Sequence, residues 1–235
     1  MALTPDTPNE AFLREVDENL RRDQASDFAK KYGAWIAAGV ALFLAAVGGY
    51  IYWQERQKQE AAEQSEALAK VYNDVGSGNL KAVSAQLDPL AKSRHATVRA
   101  SALFTQAAVA LQQNDRPKAT AVYAGIATDE DLPEAYRNLA LIRQTAVDFD
   151  SVKPEQVIAR LQPLAQAGNP WFGSAGELTA MALLKQGKNG EAGRLFAAIA
   201  ADKAVPISIR GRAVQLAGTL GVDASASIAA IEQGQ

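Results

Sequence analysis

The chain has 235 residues, a 48% apolar fraction and a formal charge of −2, which allows one sizeable domain with appendages and a buried core. It has no cysteine, which excludes disulfides, thiolate catalysis and Cys-ligated metals together, while abundant alanine and only 7% aromatics point to close-packed helices rather than sheets. Acids and bases balance at nineteen each over residues 54–235, so no basic stripe is available to neutralise phosphates and no nucleic-acid partner is expected.

Residues 1–31 form a leader holding seven acids against five bases. Phe12, Val16 and Leu20 fall on one helical face, which reads either as an amphipathic cytoplasmic segment for a membrane surface or partner, or as a partly ordered tail.

From Tyr32 to Trp53 there are 22 residues without a charge. At ~1.5 Å per residue they make roughly 33 Å of helix, matching a hydrocarbon core of about 30 Å. Tyr32 and Trp35 at one end and Tyr50, Tyr52 and Trp53 at the other suit headgroup level. The long, mostly acidic leader and the bulky exit Tyr-Ile-Tyr-Trp argue against a cleaved signal peptide, and aromatic ends on an all-round apolar helix argue against a core helix. Five Lys and Arg lie in residues 12–31 and three in residues 54–73, so the positive-inside rule places the amino terminus in the cytoplasm and the large domain outside, in a bacterium the periplasm. Gly33, Ala37, Ala41, Ala45 and Gly49 recur every four residues. Such a stripe either lets a partner helix or a second copy approach closely, which would permit a homodimer, or arises by chance in an Ala-rich span.

Residues 54–75 continue as a helix from the membrane into the first repeat, because no Gly or Pro interrupts them before Gly76. Residues 76–235 show helical periodicity with turn clusters at 76–79, 113–117, 148–154, 167–170 and 186–191. "AVSAQLDPLA" (82–91) and "QVIARLQPLA" (156–165) match in register 74 residues apart. Four apolar triplets recur: Val83, Leu87, Leu90; Ala119, Tyr123, Ile126; Val157, Leu161, Leu164; and Ala192, Phe196, Ile199. Their starts are 36, 38 and 35 residues apart, the period of a helix-pair solenoid. "LLKQGKNGEAGRLFAAI" and "LQQNDRPKATAVYAGI" resemble the second half of a tetratricopeptide repeat: Gly187 or Asn114 turns the chain, Ala192 or Ala119 packs five residues on, and Phe196 or Tyr123 follows at +4. In the last unit Gly176 replaces the large aromatic usual near the start of the first helix. The expected fold is all-α: one N-terminal transmembrane helix, then a tetratricopeptide-like α-α superhelix of about four helix pairs with a C-terminal cap. Pro89 and Pro163 are expected to bend their helices, "IRGRAVQLAGTLG" reads as the capping helix, and "DASASIAAIEQGQ" reads as a short final helix that frays.

No catalytic site is legible, and an enzyme is not expected. His95 is the only histidine, without a thiol or clear acid partner, and reads as a surface residue at a turn. "GKNG" lacks the spacing of a phosphate loop. Asp129, Glu130 and Asp131 precede Pro133 and are explained by the dipole of the helix they open, without a metal. No cofactor is implied. A solenoid instead offers a concave surface lined by the first helix of each pair. Alignment on the small packing residues places Phe104, Leu111, Glu177, Met181 and Lys185 in that groove, with Arg137 and Arg143 beside them. Trp171 and Phe172 fit two roles, peptide-binding aromatics or a seal between repeats.

A leader containing "EVDENLRRD", one amino-terminal span, and a divergent repeat domain with "AVALQQNDRPKA" and "LLKQGKNGEA" together resemble the bitopic inner-membrane family of ancillary Sec translocon subunits. The resemblance implies association with the SecYEG channel and a periplasmic chaperone of the peptidyl-prolyl isomerase type, assisting secreted or envelope clients after translocation. The alternative reading is a repeat scaffold for another envelope assembly, such as cytochrome maturation or cell-wall machinery.

Overall fold

The computed structural model describes residues 8–227. Among them are nine helices and no strand: α1 Pro8–Gly76, α2 Leu80–Leu90, α3 Ala96–Gln112, α4 Arg116–Thr128, α5 Glu134–Asp148, α6 Pro154–Leu161, α7 Phe172–Lys185, α8 Asn189–Ala201 and α9 Ile207–Thr219. The side chains of Phe12, Val16 and Leu20, and the end of the expected final helix beyond Ser227, lie outside the described residues. Close contacts divide the chain into two units, Met1–Glu60 and Ala61–Gln235.

Within the first unit α1 carries the apolar stretch. Gly33, Gly39, Gly48 and Gly49 do not interrupt the helix. Trp35 is 79% exposed and Leu42 74%, and none of the most apolar 18-residue window, mean hydropathy 2.0, is buried. This is one helix long and apolar enough to cross a membrane, near the N-terminus.

The second unit is a row of antiparallel helix pairs whose turns repeat one backbone device. Gly78 (φ 80°), Asn114 (φ 60°) and Gly187 (φ 74°) stand in the left-handed region at the ends of α1, α3 and α7. At each, the next N–H reaches back five residues: Asn79 to the Asp74 carbonyl, Asp115 to Ala110 and Lys188 to Leu183, at 3.1, 2.8 and 3.0 Å. These bonds satisfy carbonyls that the helix end would otherwise leave unpaired. The turn between α5 and α6 differs because "DFDSVKP" supplies neither Gly nor Asn. Here Ser151 and Val152 donate to the Asp148 carbonyl, and the Asp148 carboxylate accepts from Arg160 Nη1 at 2.9 Å on both oxygens.

Each of the four triplets seeds one core cluster, and all twelve of their side chains are buried. Val83, Leu87 and Leu90 pack with Leu68 and Val71 of α1 and Val98 of α3. Ala119, Tyr123 and Ile126 meet Ala107 and Ala140; Val157, Leu161 and Leu164 meet Ile142 and Ala175; Ala192, Phe196 and Ile199 meet Phe172 and Ala213. Alanines at the crossings let the helices close up, and α9 closes the last core as the cap.

Two expectations need correction. Pro163 does not bend α6, which ends at Leu161 with Gln162 still in helical backbone; the proline has no N–H, so the hydrogen-bond ladder stops there. Pro89 does lie inside α2, one residue before its end at Leu90. Asp129 does not serve the dipole of α5: it closes α4, accepts the Asp131 N–H at 3.0 Å, and faces Arg99 Nε at 3.4 Å.

Gly176 is explained by packing. A Cβ there would stand 2.9 Å from Ile199 Cδ1, and the Phe172 ring, one turn earlier, passes 3.5 Å away. The aromatic expected at this place is supplied from residue 172 instead.

Candidate protein-interaction surface

Eight residues of α7 are buried and Leu178 and Leu184 are half-buried against the neighbouring cores, which leaves a narrow strip at i, i+3, i+7, i+11 toward solvent: Ser174, Glu177, Met181 and Lys185. On α5 the corresponding strip is Tyr136, Leu139, Arg143 and Ala146, and on α3 it is Thr97, Ser101, Phe104 and Ala108. Contacts between first helices show that the strips lie side by side. The Phe104 and Tyr136 ring centroids are 6.5 Å apart, Lys185 Nζ lies 2.7 Å from Asp150 Oδ1, and Arg212 of α9 grips both Glu177 oxygens at 2.9 and 2.8 Å.

Several residues picked from sequence prove to be ties between repeats. Phe104 also sits 5.9 Å from the ring of Tyr123. Glu177 is engaged by Arg212, and Lys185, besides its ion pair, places its ammonium 4.5 Å over the Phe149 ring. Leu111 is half-buried against the α3–α4–α5 core. Met181, at 42% exposure, and Arg143 are open to solvent. Trp171 is half-buried against the neighbouring core, and its backbone N–H donates to Asn169 Oδ1 at the entry to α7. Phe172, 2% exposed, is wholly a core side chain and seals α7 against α8, so a bound peptide finds no side chain to touch there. Arg137 is six residues from Arg143, about 120° around α5, on the stripe of Leu141 and buried Asp148. It is not on the exposed strip. Tyr136, Asp150 and Arg212 were not picked out from the sequence; the i, i+7 spacing of Tyr136 and Arg143 carried the signal for the first, whereas the other two act through helices distant in the chain.

Charge on this face is mostly spent internally. The Lys185 hydrogen bond and charge hold the Asp150 carboxyl below its ordinary value, and Glu177 raises Arg212 in the same way. Burial pushes the Tyr123 phenol up, and the nearby Arg143 charge partly offsets that rise. His95 is the N-cap residue of α3, and its backbone N–H donates to Ser93 Oγ at 3.0 Å.

On α1, the positions of Gly33 and Gly49 have open space around them. Each four-residue step turns about 40°, so Gly33, Ala37, Ala41, Ala45 and Gly49 form a ridge inclined to the helix axis rather than a line along it.

The paired helices, small-residue crossings and exposed first-helix strips agree with the profile of the tetratricopeptide repeat-like domain, which matches residues 26–215. The chain belongs to this family. Its match begins before the apolar stretch, so this tetratricopeptide repeat-like region takes in the apolar helix as well as the repeats. Domains of this kind are protein-interaction scaffolds, typically without catalysis of their own. No curated protein and no solved structure matches the chain.

Proposed function

We propose that this tetratricopeptide repeat-like protein is a single-pass inner-membrane adaptor with a chaperone-like role, its amino terminus cytoplasmic and its repeat domain periplasmic, working beside the SecYEG channel on secreted or envelope clients. The observation that carries the reading is the wholly exposed apolar stretch of α1 within the same family match as the repeats. An apolar surface of this length, unburied among the described residues, is compatible with lipid. The excess of Lys and Arg before the span supports the orientation, and the resemblance of the whole arrangement to ancillary translocon subunits supports the partners, including a chaperone of the peptidyl-prolyl isomerase type. The inclined Gly33–Gly49 ridge is a second contact surface in this proposal, for a channel helix or a second copy crossing at an angle.

Photo-crosslinking residues placed at Ala41 and Met181 in intact membranes test it. Recovery of channel subunits from Ala41 and of chaperone or client chains from Met181 is the expected result. Consistent absence of channel subunits, with another envelope assembly recovered instead, overturns the translocon assignment in favour of a different scaffold. Protease added from the periplasmic side should digest the repeat domain; full protection there reverses the orientation.

A further inference from the structure

The exposed strips of α3, α5 and α7 carry three cationic or anionic elements, and two of these are closed pairs: Asp150 with Lys185, and Glu177 with Arg212. The third is Arg143, exposed and without a salt bridge among the described residues. It stands on the same line of α5 as Tyr136 and Leu139, at i+7 and i+4, and Phe104 brings a second half-exposed ring beside Tyr136. Tyr123, 5% exposed, packs beneath Phe104 and fixes the floor. Arg143 thus stands two turns of α5 from Tyr136, with its charge acting on the Tyr123 phenol that underlies an aromatic shelf built from three helices.

We propose that Arg143, Tyr136 and Phe104 form a subsite for a polypeptide segment that presents a carboxylate beside an aromatic or long aliphatic side chain. The guanidinium would receive the carboxylate through a two-pronged hydrogen bond, and the rings would take the apolar side chain face or edge on. Charge complementarity selects this occupant. A basic segment meets the one open cation of the strips, whereas the acids that could attract it are held by Lys185 and Arg212. The inference rests on the reading of this domain as a protein-binding scaffold and names what it binds.

The test uses the full chain in detergent micelles and three fluorescein-labelled octapeptides identical except at one position after a central Leu-Phe, which is Glu, Gln or Lys. The Glu peptide should bind about tenfold more tightly than the Gln peptide, the size of one charge-assisted contact. Added salt should narrow that difference. Arg143→Gln should abolish the preference, and Arg143→Glu should turn it toward the Lys peptide, with unchanged melting of the domain because the side chain is exposed. Phe104→Leu should weaken all three peptides alike. An unchanged Glu preference in Arg143→Gln, or no binding of any peptide, overturns the subsite. The crosslinking of Ala41 to channel subunits is a separate readout, so failure of the subsite and failure of the translocon assignment are told apart.

Discussion

Glu177 on α7 and Arg212 on α9 meet as a two-pronged pair, Arg212 Nε 2.9 Å from Oε1 and Nη2 2.8 Å from Oε2. The planar guanidinium matches both carboxylate oxygens, so the pair fixes the rotation of the capping helix against the last repeat as well as their separation. Arg212 is about half exposed, which limits what the pair contributes. Arg212→Ala should lower stability by about 0.5–1 kcal/mol in urea denaturation, with the loss shrinking at high salt. Arg212→Lys should restore only part, since an ammonium cannot span both oxygens. Full restoration by lysine would mean that charge alone matters.

A Cβ on Gly193 would come within 2.6 Å of Val222 Cγ2 and 3.3 Å of Leu220 Cβ, because the chain after α9 folds back over α8. Gly193→Ala should therefore destabilise by about 1–2 kcal/mol, overpacking outweighing the helix-propensity gain of about 1 kcal/mol. Gly211, also in a helix, has nothing within 4 Å. There Gly211→Ala should stabilise by about 0.5–1 kcal/mol. Thermal melting of the two variants in opposite directions is the expected outcome; a shared direction would contradict the fold-back contact.

Asn114 and Gly187 occupy equivalent turns with φ of 60° and 74°. Asn114→Gly should be neutral to slightly stabilising, whereas Asn114→Ala and Gly187→Ala should each cost about 1–2 kcal/mol, the strain of a Cβ in left-handed backbone. Chemical denaturation separates these outcomes. Equal stability of Asn114→Ala and Asn114→Gly would rule out the strain.

Asp150 is expected to titrate below the ordinary carboxyl value, because Lys185 stabilises its charged form by hydrogen bond and charge. A carboxyl lowered in the folded state contributes stability that is complete above its ordinary value of 3.8 and is lost as pH falls from there through the folded value. Carboxyl NMR titration should show this, and Lys185→Met should return Asp150 toward 3.8. If the titration is unmoved by that substitution, the tie does not persist in solution.

The repeats were legible because their information is local. The triplets at i, i+4, i+7 mark buried faces, Gly187 and Asn114 mark left-handed turns, and the 35–38-residue spacing marks the pairs. Pro163 misled because a helix end and a helix bend look alike in sequence when no other terminator follows. The groove was legible in part: helical phase places Met181 and Lys185 on the exposed side of α7, but it cannot tell an open side chain from one spent on a neighbour.

By itself, then, the sequence determined an all-helical repeat protein with one apolar stretch of membrane length, since helix, turn and hydrophobic period depend on residues a few positions apart. Only the tertiary structure decided which side chains remain free on the repeat face. Glu177 with Arg212, Lys185 with Asp150 and Phe104 with Tyr136 are joined across helices 32–35 residues apart in the chain. Such pairings depend on how neighbouring helices rotate as their alanine crossings close, and those crossings leave Arg143 without a carboxylate among the described residues.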